Sequence, residues 1–418
     1  MQDDPKLPES HHHEADSTPR VIEHAPTPDA TIDESEPAVQ AQSNRKERKV
    51  LIAPHKHFIR FWKWWLGLNR NERFAFLAAL LLVFGAAAIL WFGFIHPNSN
   101  PGLSIIRHQS QEASTTVASP LSGVQVSPAQ AARPVTAVMI ENSDFARPQS
   151  GLQDAGIVYE AIAEGGVTRF MALFQDTAPK YIGPVRSLRP YYIDFAAPFQ
   201  ASIAHVGGSP DALSRVRNGH YRDIDEFFNA GAYWRISSRE APHNVYTSFA
   251  KLDALNKSKG YKHSDFTPWP RKADQKLKVP TAKTIDIHIS GPDYYVHYDY
   301  DASTNTYKRS EGGEKHMDTT STGKQVRLAP KVVVTMVVPE TNGKLDATGA
   351  YYSDYSDVGS GRVFVFQDGG RTVGTWKKTS QNAPLSFWTA DGQPLKLDAG
   401  QTWITLVSSS GLVNYSNK

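Results

Sequence analysis

The chain has 418 residues, 40% of them hydrophobic, a formal net charge of +3 and no cysteine. Its length allows two or three domains. The missing cysteine excludes disulfides, thiolate metal sites, a cysteine nucleophile and acylation of this chain as a lipoprotein. Charge is unevenly spread: residues 1–44 carry ten acids and two bases, residues 45–73 nine bases and two acids, and the rest is close to neutral. With no basic stripe in that large remainder, nucleic acid is not an expected partner.

Residues 1–54 begin acidic, end basic and hold few aromatics, so they lack the apolar surface to order themselves and read as a disordered cytoplasmic tail. His11–His13 in that tail read as incidental. Residues 55–73 (HKHFIRFWKWWLGLNRNER) interleave aromatics with bases. That mixture suits the headgroup zone of a membrane, with a partner-binding helix as the alternative. Phe74–Ile95 (FAFLAALLLVFGAAAILWFGFI) contains no charge. As a helix rising ~1.5 Å per residue, such a run of about 22 residues crosses a ~30 Å hydrocarbon core.

Basic residues crowd the N-terminal flank of this run, whereas Arg107 is the only base between it and Arg133. The N-terminus is therefore expected on the cytoplasmic side of the membrane, with residues 96–418 extracytoplasmic. The long preceding segment and the following Phe-Ile-His-Pro do not fit a cleaved signal peptide, so the run reads as a signal anchor. Residues 96–132, rich in Ser, Pro, Gln and Ala, read as a flexible stalk.

From 133 to 270 the pattern predicts strands at Val135–Ile140, Gly156–Ala163, Arg169–Gln175 and Ala201–Val206. Helices are predicted around Arg189–Phe199, Pro210–Val216 and Ser248–Lys257, with Ser209 and Thr247 or Ser248 as candidate caps. Residues 271–283 (RKADQKLKVPTAK) read as a polar linker. From 284 to 410 the pattern is β: Ile285–Ile289, Tyr294–Tyr300, Val332–Val338, Arg362–Gln367, Thr372–Lys378, Leu385–Trp388 and Thr402–Val407. Asp368-Gly369-Gly370 and Asp391-Gly392 signal hairpin turns. The expected fold class is an α+β (or α/β) N-terminal ectodomain, followed by a β-rich C-terminal domain or a sheet added to the first, behind a single transmembrane helix.

The blocks ARPVTAVMIENSDFARPQSGLQDAGIVYEAIAEGGVTRFMALFQ, IGPVRSLRPYYIDFA, HVGGSPDAL and APHNVYTS resemble the YerB-like family, as do GSGRVFVFQDGGRTVGTWKK and GQTWITLV further on. The resemblance covers roughly residues 133–410. It implies a membrane-tethered extracytoplasmic bacterial protein with an α/β first domain and a β-rich second one. The family is one of unknown function and brings no catalytic residues with it. Many relatives resemble acylated lipoproteins, from which this chain departs by its apolar anchor and its tail.

Arg147, Arg169, Arg186 and Arg189 each lie at a predicted turn or strand end. Guanidinium forks match carboxylate and phosphate, so an anionic ligand is one reading. Bracing of the fold by Glu141, Glu160, Glu164 and Asp194 is the other. Glu160 and Glu164, on one face of a strand, would lie ~13 Å apart at ~3.3 Å per residue, too far for a pair of glycosidase carboxylates at ~5–9.5 Å. His205 precedes a Gly-Gly turn, and His243-Asn244 follows Ala-Pro in a loop. Either histidine would serve as acid, base or structural hydrogen-bonder. Two histidines without a spaced third ligand give no zinc site, and no cofactor or metal is expected.

His316 and Asp318 sit near a Gly-rich loop. Trp376 beside Lys377 and Lys378 reads either as a sugar platform or as core. The leading expectation is a non-catalytic binding or regulatory module for an anionic envelope polymer, peptidoglycan or a cell-wall enzyme. A cell-wall hydrolase or transferase with a His/Arg site is the alternative. The expected ligand-binding residues are Arg147, Arg169, Arg186, Arg189, His205, His243, Asn244, Glu160 and Glu164.

Overall fold

The computed structural model describes residues 56–95, 116–345, 349 and 351–418. The tail and the part of the stalk over 96–115 lie outside the described residues. The chain divides into two units, residues 1–107 and 108–418.

In the first unit, α1 (Lys56–Gly67) holds the basic-aromatic segment and α2 (Arg70–Ile95) holds the whole apolar run. Asn69 and Glu72 make the break between them, because each side chain accepts the other's backbone N–H, at 3.0 and 2.8 Å. Trp64 and Trp65 then meet Phe76 edge-on. Side chains of α2 are described only as far as residue 86. Among the fully described residues no helix is long and apolar enough to cross a membrane.

The second unit begins earlier than Arg133. Val117–Ala118 pairs with Gln125–Val126, Leu121 is buried in the core, and the Ser119 and Ser122 hydroxyls both donate to Asp176. Residues 117–132 are therefore docked rather than stalk. Two buried apolar side chains, Leu121 and Val126, among small and polar residues leave no periodicity to read.

In chain order the elements are β1 (Thr136–Glu141), β2 (Ile157–Glu164), β3 (Val167–Phe174), α3 (Pro190–Ala196), β4 (Ser202–Ala204), α4 (Pro210–Asn218), β5 (Arg222–Asp223) and α5 (Phe249–Ser258). Then follow β6 (Thr284–His288), β7 (Tyr295–Asp301), β8 (Thr306–Glu311), β9 (Glu314–Lys315), β10 (Val332–Val337), β11 (Gly359–Gln367), β12 (Gly370–Lys378), β13 (Ser386–Thr389), β14 (Thr402–Val407) and β15 (Val413–Ser416). Pro190 and Pro210 open α3 and α4, where a missing N–H costs nothing. Ser209 and Ser248 do occupy N-cap positions, but neither side chain makes the capping bond. The Ser209 hydroxyl donates to Asp211 instead.

The main sheet is mixed and runs β13-β12-β11-β10-β14-β2-β3-β1-β4-β5. It takes strands from both sides of residues 271–283, joined where β14 lies parallel to β2. The segment 271–283 itself is docked: Arg271–Lys272 pairs with Leu397–Asp398, and Ala282 is buried. A second sheet, β9-β8-β7-β6-β15, covers one face of the main sheet. Alternation along the strands sets the two faces. Met139, Tyr159, Met171 and Ile404 point to the face covered by α3 and α4. Val138, Val158, Phe170 and Trp403 point to the other, which α5 and the second sheet cover. Trp376 is core, its Nε1 donating to the Val337 carbonyl at 2.9 Å.

Candidate functional site

On the face of α3 and α4, the end of β1 carries Glu141, and the β2–β3 hairpin carries Glu164 and Arg169. Arg186 and Arg189 arrive on the segment leading into α3. The Glu164 carboxylate accepts from Arg169 Nη2 at 2.5 Å and from Arg189 Nη2 at 2.6 Å. Burial pushes the Glu164 carboxyl up, but the Arg169 and Arg189 charges and the Arg169 hydrogen bond outweigh it and hold it below its usual range. Arg169 Nη1 also donates to the Ser187 carbonyl at 2.9 Å.

Arg186 differs from its neighbours. Its Nε lies 3.3 Å from Glu141 Oε2, its side chain is 20% exposed, and among the described residues its guanidinium makes no side-chain hydrogen bond. Burial lowers its pKa, Glu141 offsets part of that, and the like charge of Arg169 lowers it further. An anion would relieve both effects.

The β2–β3 ladder slips between Ile162 and Glu164. The extra residue turns Glu164 to the side of Arg169 and leaves Glu160 on the opposite face. The single-face expectation for this pair is thereby corrected. The arginine set is also split by the sheet. Arg147 lies on the far face, donating to the Asn142 side chain and to the Asp293 carbonyl, each at 3.2 Å.

His205 is fully buried, with Nδ1 at 2.7 Å from the Gly207 carbonyl and Nε2 at 3.0 Å from Asp223. Both ring nitrogens are engaged, so it lines no site. His243 Nδ1 is 2.7 Å from Glu141 Oε1, and its ring lies against exposed Phe145. Asn244 accepts from Arg235 at 3.0 Å, and Asp194 pairs with Arg215 rather than with any of the four arginines.

The far face holds a buried polar network. Arg309 is fully buried, its guanidinium 4.5 Å from the Trp403 ring centroid. It donates to Glu160 Oε1, Tyr298 Oη and His316 Nδ1, each at 2.8 Å. Trp403 Nε1 donates to Glu160 Oε2 at 2.9 Å. Burial first, then the charges of Arg309 and Arg147, lower the His316 pKa well below its usual value. The ring is therefore neutral, and with Nδ1 accepting, its Nε2–H donates to Gln149 Oε1 at 2.9 Å.

Among the described residues, the carboxylates grouped as a metal would need are Asp274, Asp368 and Asp398. The Lys272 ammonium bridges Asp368 and Asp398, and Lys331 pairs with Asp274, so lysines already supply the positive charge.

Residues 121–262 match the family described as "Protein of unknown function (DUF3048) N-terminal domain", and residues 285–404 match its C-terminal domain. The chain is 32% identical over 299 residues to the "Putative lipoprotein YerB" of Bacillus subtilis (strain 168), which covers 69% of this chain and 85% of that protein. The chain belongs to the YerB-like family. A crystal structure of the YerB protein from Bacillus subtilis superposes with a TM-score of 0.62 at 29% identity, covering 72% of this chain and 99% of that one.

The match to the YerB-like N-terminal domain starts at residue 121, in agreement with a folded unit that begins before Arg133. All nine residues expected to bind ligand fall inside that domain, whereas the network's arginine, Arg309, falls in the C-terminal one. Sequence reasoning gave Arg309 and Glu311 no role. The signal was present: in Thr306–Glu311 the buried positions are Tyr307, Arg309 and Glu311, so the phase set by one tyrosine turns two charged residues inward.

Proposed function

We propose that this protein is a membrane-tethered, extracytoplasmic member of the bacterial cell envelope, with α2 as its anchor and its N-terminus inside. Its folded unit acts as a non-catalytic module that binds an anionic envelope polymer. The envelope assignment draws on the lipoprotein name of its Bacillus relative, and the orientation draws on the basic flank of the apolar run. The observation that carries the ligand class is Arg186. This half-buried guanidinium stands beside two more that Glu164 already holds, with its terminal nitrogens unpaired among the described residues. A phosphate or carboxylate would take a bidentate contact there, with exposed Phe145 and His243 alongside. The hydrolase alternative loses support at His205, whose ring nitrogens are both committed.

The test uses the full chain in detergent micelles, pelleted with purified wall carrying, or stripped of, its anionic polymer. Arg186→Ala should weaken pelleting with the intact wall about tenfold, and added salt should weaken the wild type. Equal binding by wild type and variant, or binding indifferent to salt, would overturn the reading.

A further inference from the structure

A cleft of about 410 Å³ opens on the far face of the main sheet, beside the second sheet. Its lining includes Asp144, Asp293, Glu311 and Glu314, against two bases, Arg147 and Lys315. Arg147 pairs with Asp144 at 3.1 Å, lies 3.5 Å from Glu311 Oε1, and donates to the Asp293 carbonyl and to Asn142, which leaves Asp293 and Glu314 as the acid excess of the lining. Pro148 and Met317 supply apolar wall. Glu311 is 3% exposed, and its two oxygens differ. Oε1 accepts from Asn142 Nδ2 at 2.7 Å. Oε2 is buried with no hydrogen-bond partner. Its neighbour at 3.2 Å is His316 Nδ1, an atom whose lone pair already accepts from Arg309. A buried acceptor facing another acceptor at a cleft wall calls for a donor.

We propose that this cleft binds a primary ammonium group carried on a short apolar stem, with the Glu311 carboxylate as its acceptor. The site is separate from Arg186 and stands or falls independently of it. The acid excess of the lining selects a cation, the apolar wall takes the stem, and the unpaired oxygen takes the ammonium. Arg309, which would repel a cation from behind, is neutralised by Glu160 at 2.8 Å.

The titratable groups facing Glu311 are Arg309 on its own strand, Glu314 directly opposite on β9, Glu160 from β2, Arg147 from the loop after β1, His316 beyond β9, and Tyr294 and Tyr298 from the β7 region. Burial pushes the Glu311 carboxyl up to about 7, with Arg309 opposing, Glu160 adding, and Arg147 and Asn142 opposing. Near neutral pH and without ligand the carboxyl is therefore partly protonated, and only its ionised form accepts an ammonium. An ammonium replaces that proton, so binding must release it at acid pH.

The experiment titrates the full chain in detergent micelles with Nα-acetyl-lysine amide by calorimetry. Nα-acetyl-norleucine amide is the uncharged control and inorganic phosphate the control of opposite charge. The lysine derivative alone should bind, about tenfold more weakly at pH 6 than at pH 8, with the proton release visible in buffers of differing ionisation heat. Glu311→Gln should weaken binding at pH 8 at least tenfold and remove its pH dependence. Glu314→Gln, on the exposed rim, should weaken it a few-fold in a salt-sensitive way without touching the fold. Equal binding of the norleucine control, preference for phosphate, or pH-independent binding by the wild type would each overturn the proposal. The last of these does so even if Glu311→Gln fails to fold.

Discussion

Replacing Arg309 by methionine tests the internal logic of the interface between the two sheets. Methionine keeps most of the stem that packs against Trp403 but removes a fully buried charge. The loss strips Glu160 of its cationic partner at 2.8 Å, and Tyr298 and His316 of a donor each at the same distance. Among the described residues Glu160 then keeps only Trp403 Nε1 at 2.9 Å and Thr405 Oγ1 at 3.2 Å, both neutral donors. Removing one member of a buried pair costs about 3–5 kcal/mol, chiefly because the other charge stays buried and uncompensated. With a urea slope of about 3 kcal/mol/M, the unfolding midpoint should fall by about 1–1.7 M. Tryptophan fluorescence is the natural reporter, since Trp403 lies directly under the guanidinium. Glu160→Gln combined with Arg309→Met should recover about half of the loss, because the orphaned charge is then gone. A cost below about 1 kcal/mol for the single variant would refute the reasoning, as would a double variant no more stable than the single one.

Glu164, held below its usual carboxyl range by Arg169 and Arg189, contributes stability that is present above its unfolded pKa and lost as pH falls through the lower folded one. Acid unfolding of wild type below about pH 4.5 should therefore be steeper than that of Glu164→Gln, and identical acid profiles would count against the pairing. Because the chain has no cysteine, single cysteines report topology without background. On protoplasts or spheroplasts, an impermeant thiol reagent should label Ser408→Cys and leave Ser35→Cys untouched, and the reverse pattern would overturn the inside placement of the N-terminus.

Much of the element inventory was legible. Val332–Val337 and Thr402–Val407 announce themselves by β-branched runs, Pro210–Asn218 by its leading proline, and the Gly359–Gln367/Gly370–Lys378 hairpin by Asp368-Gly369-Gly370. Residues 117–132 read as stalk in the sequence because Leu121 and Val126 alone carry no period. The candidate site was legible as a list of arginines but not as an arrangement. A one-residue bulge decides that Glu164 meets Arg169 and Arg189 while Glu160 meets Arg309 across the sheet.

What the sequence determined by itself is local. Side-chain alternation, helix openings and turn residues depend on free energies settled within a few neighbouring residues, and the chain states them directly. What only the tertiary structure decided is who sits beside whom. β14 pairs with β2 across some 240 residues of chain, and Arg309 of the second sheet neutralises Glu160 of the first. Those choices come from burying whole faces at once, where a charge is tolerated only opposite its partner, and no window of sequence contains both sides of that contact.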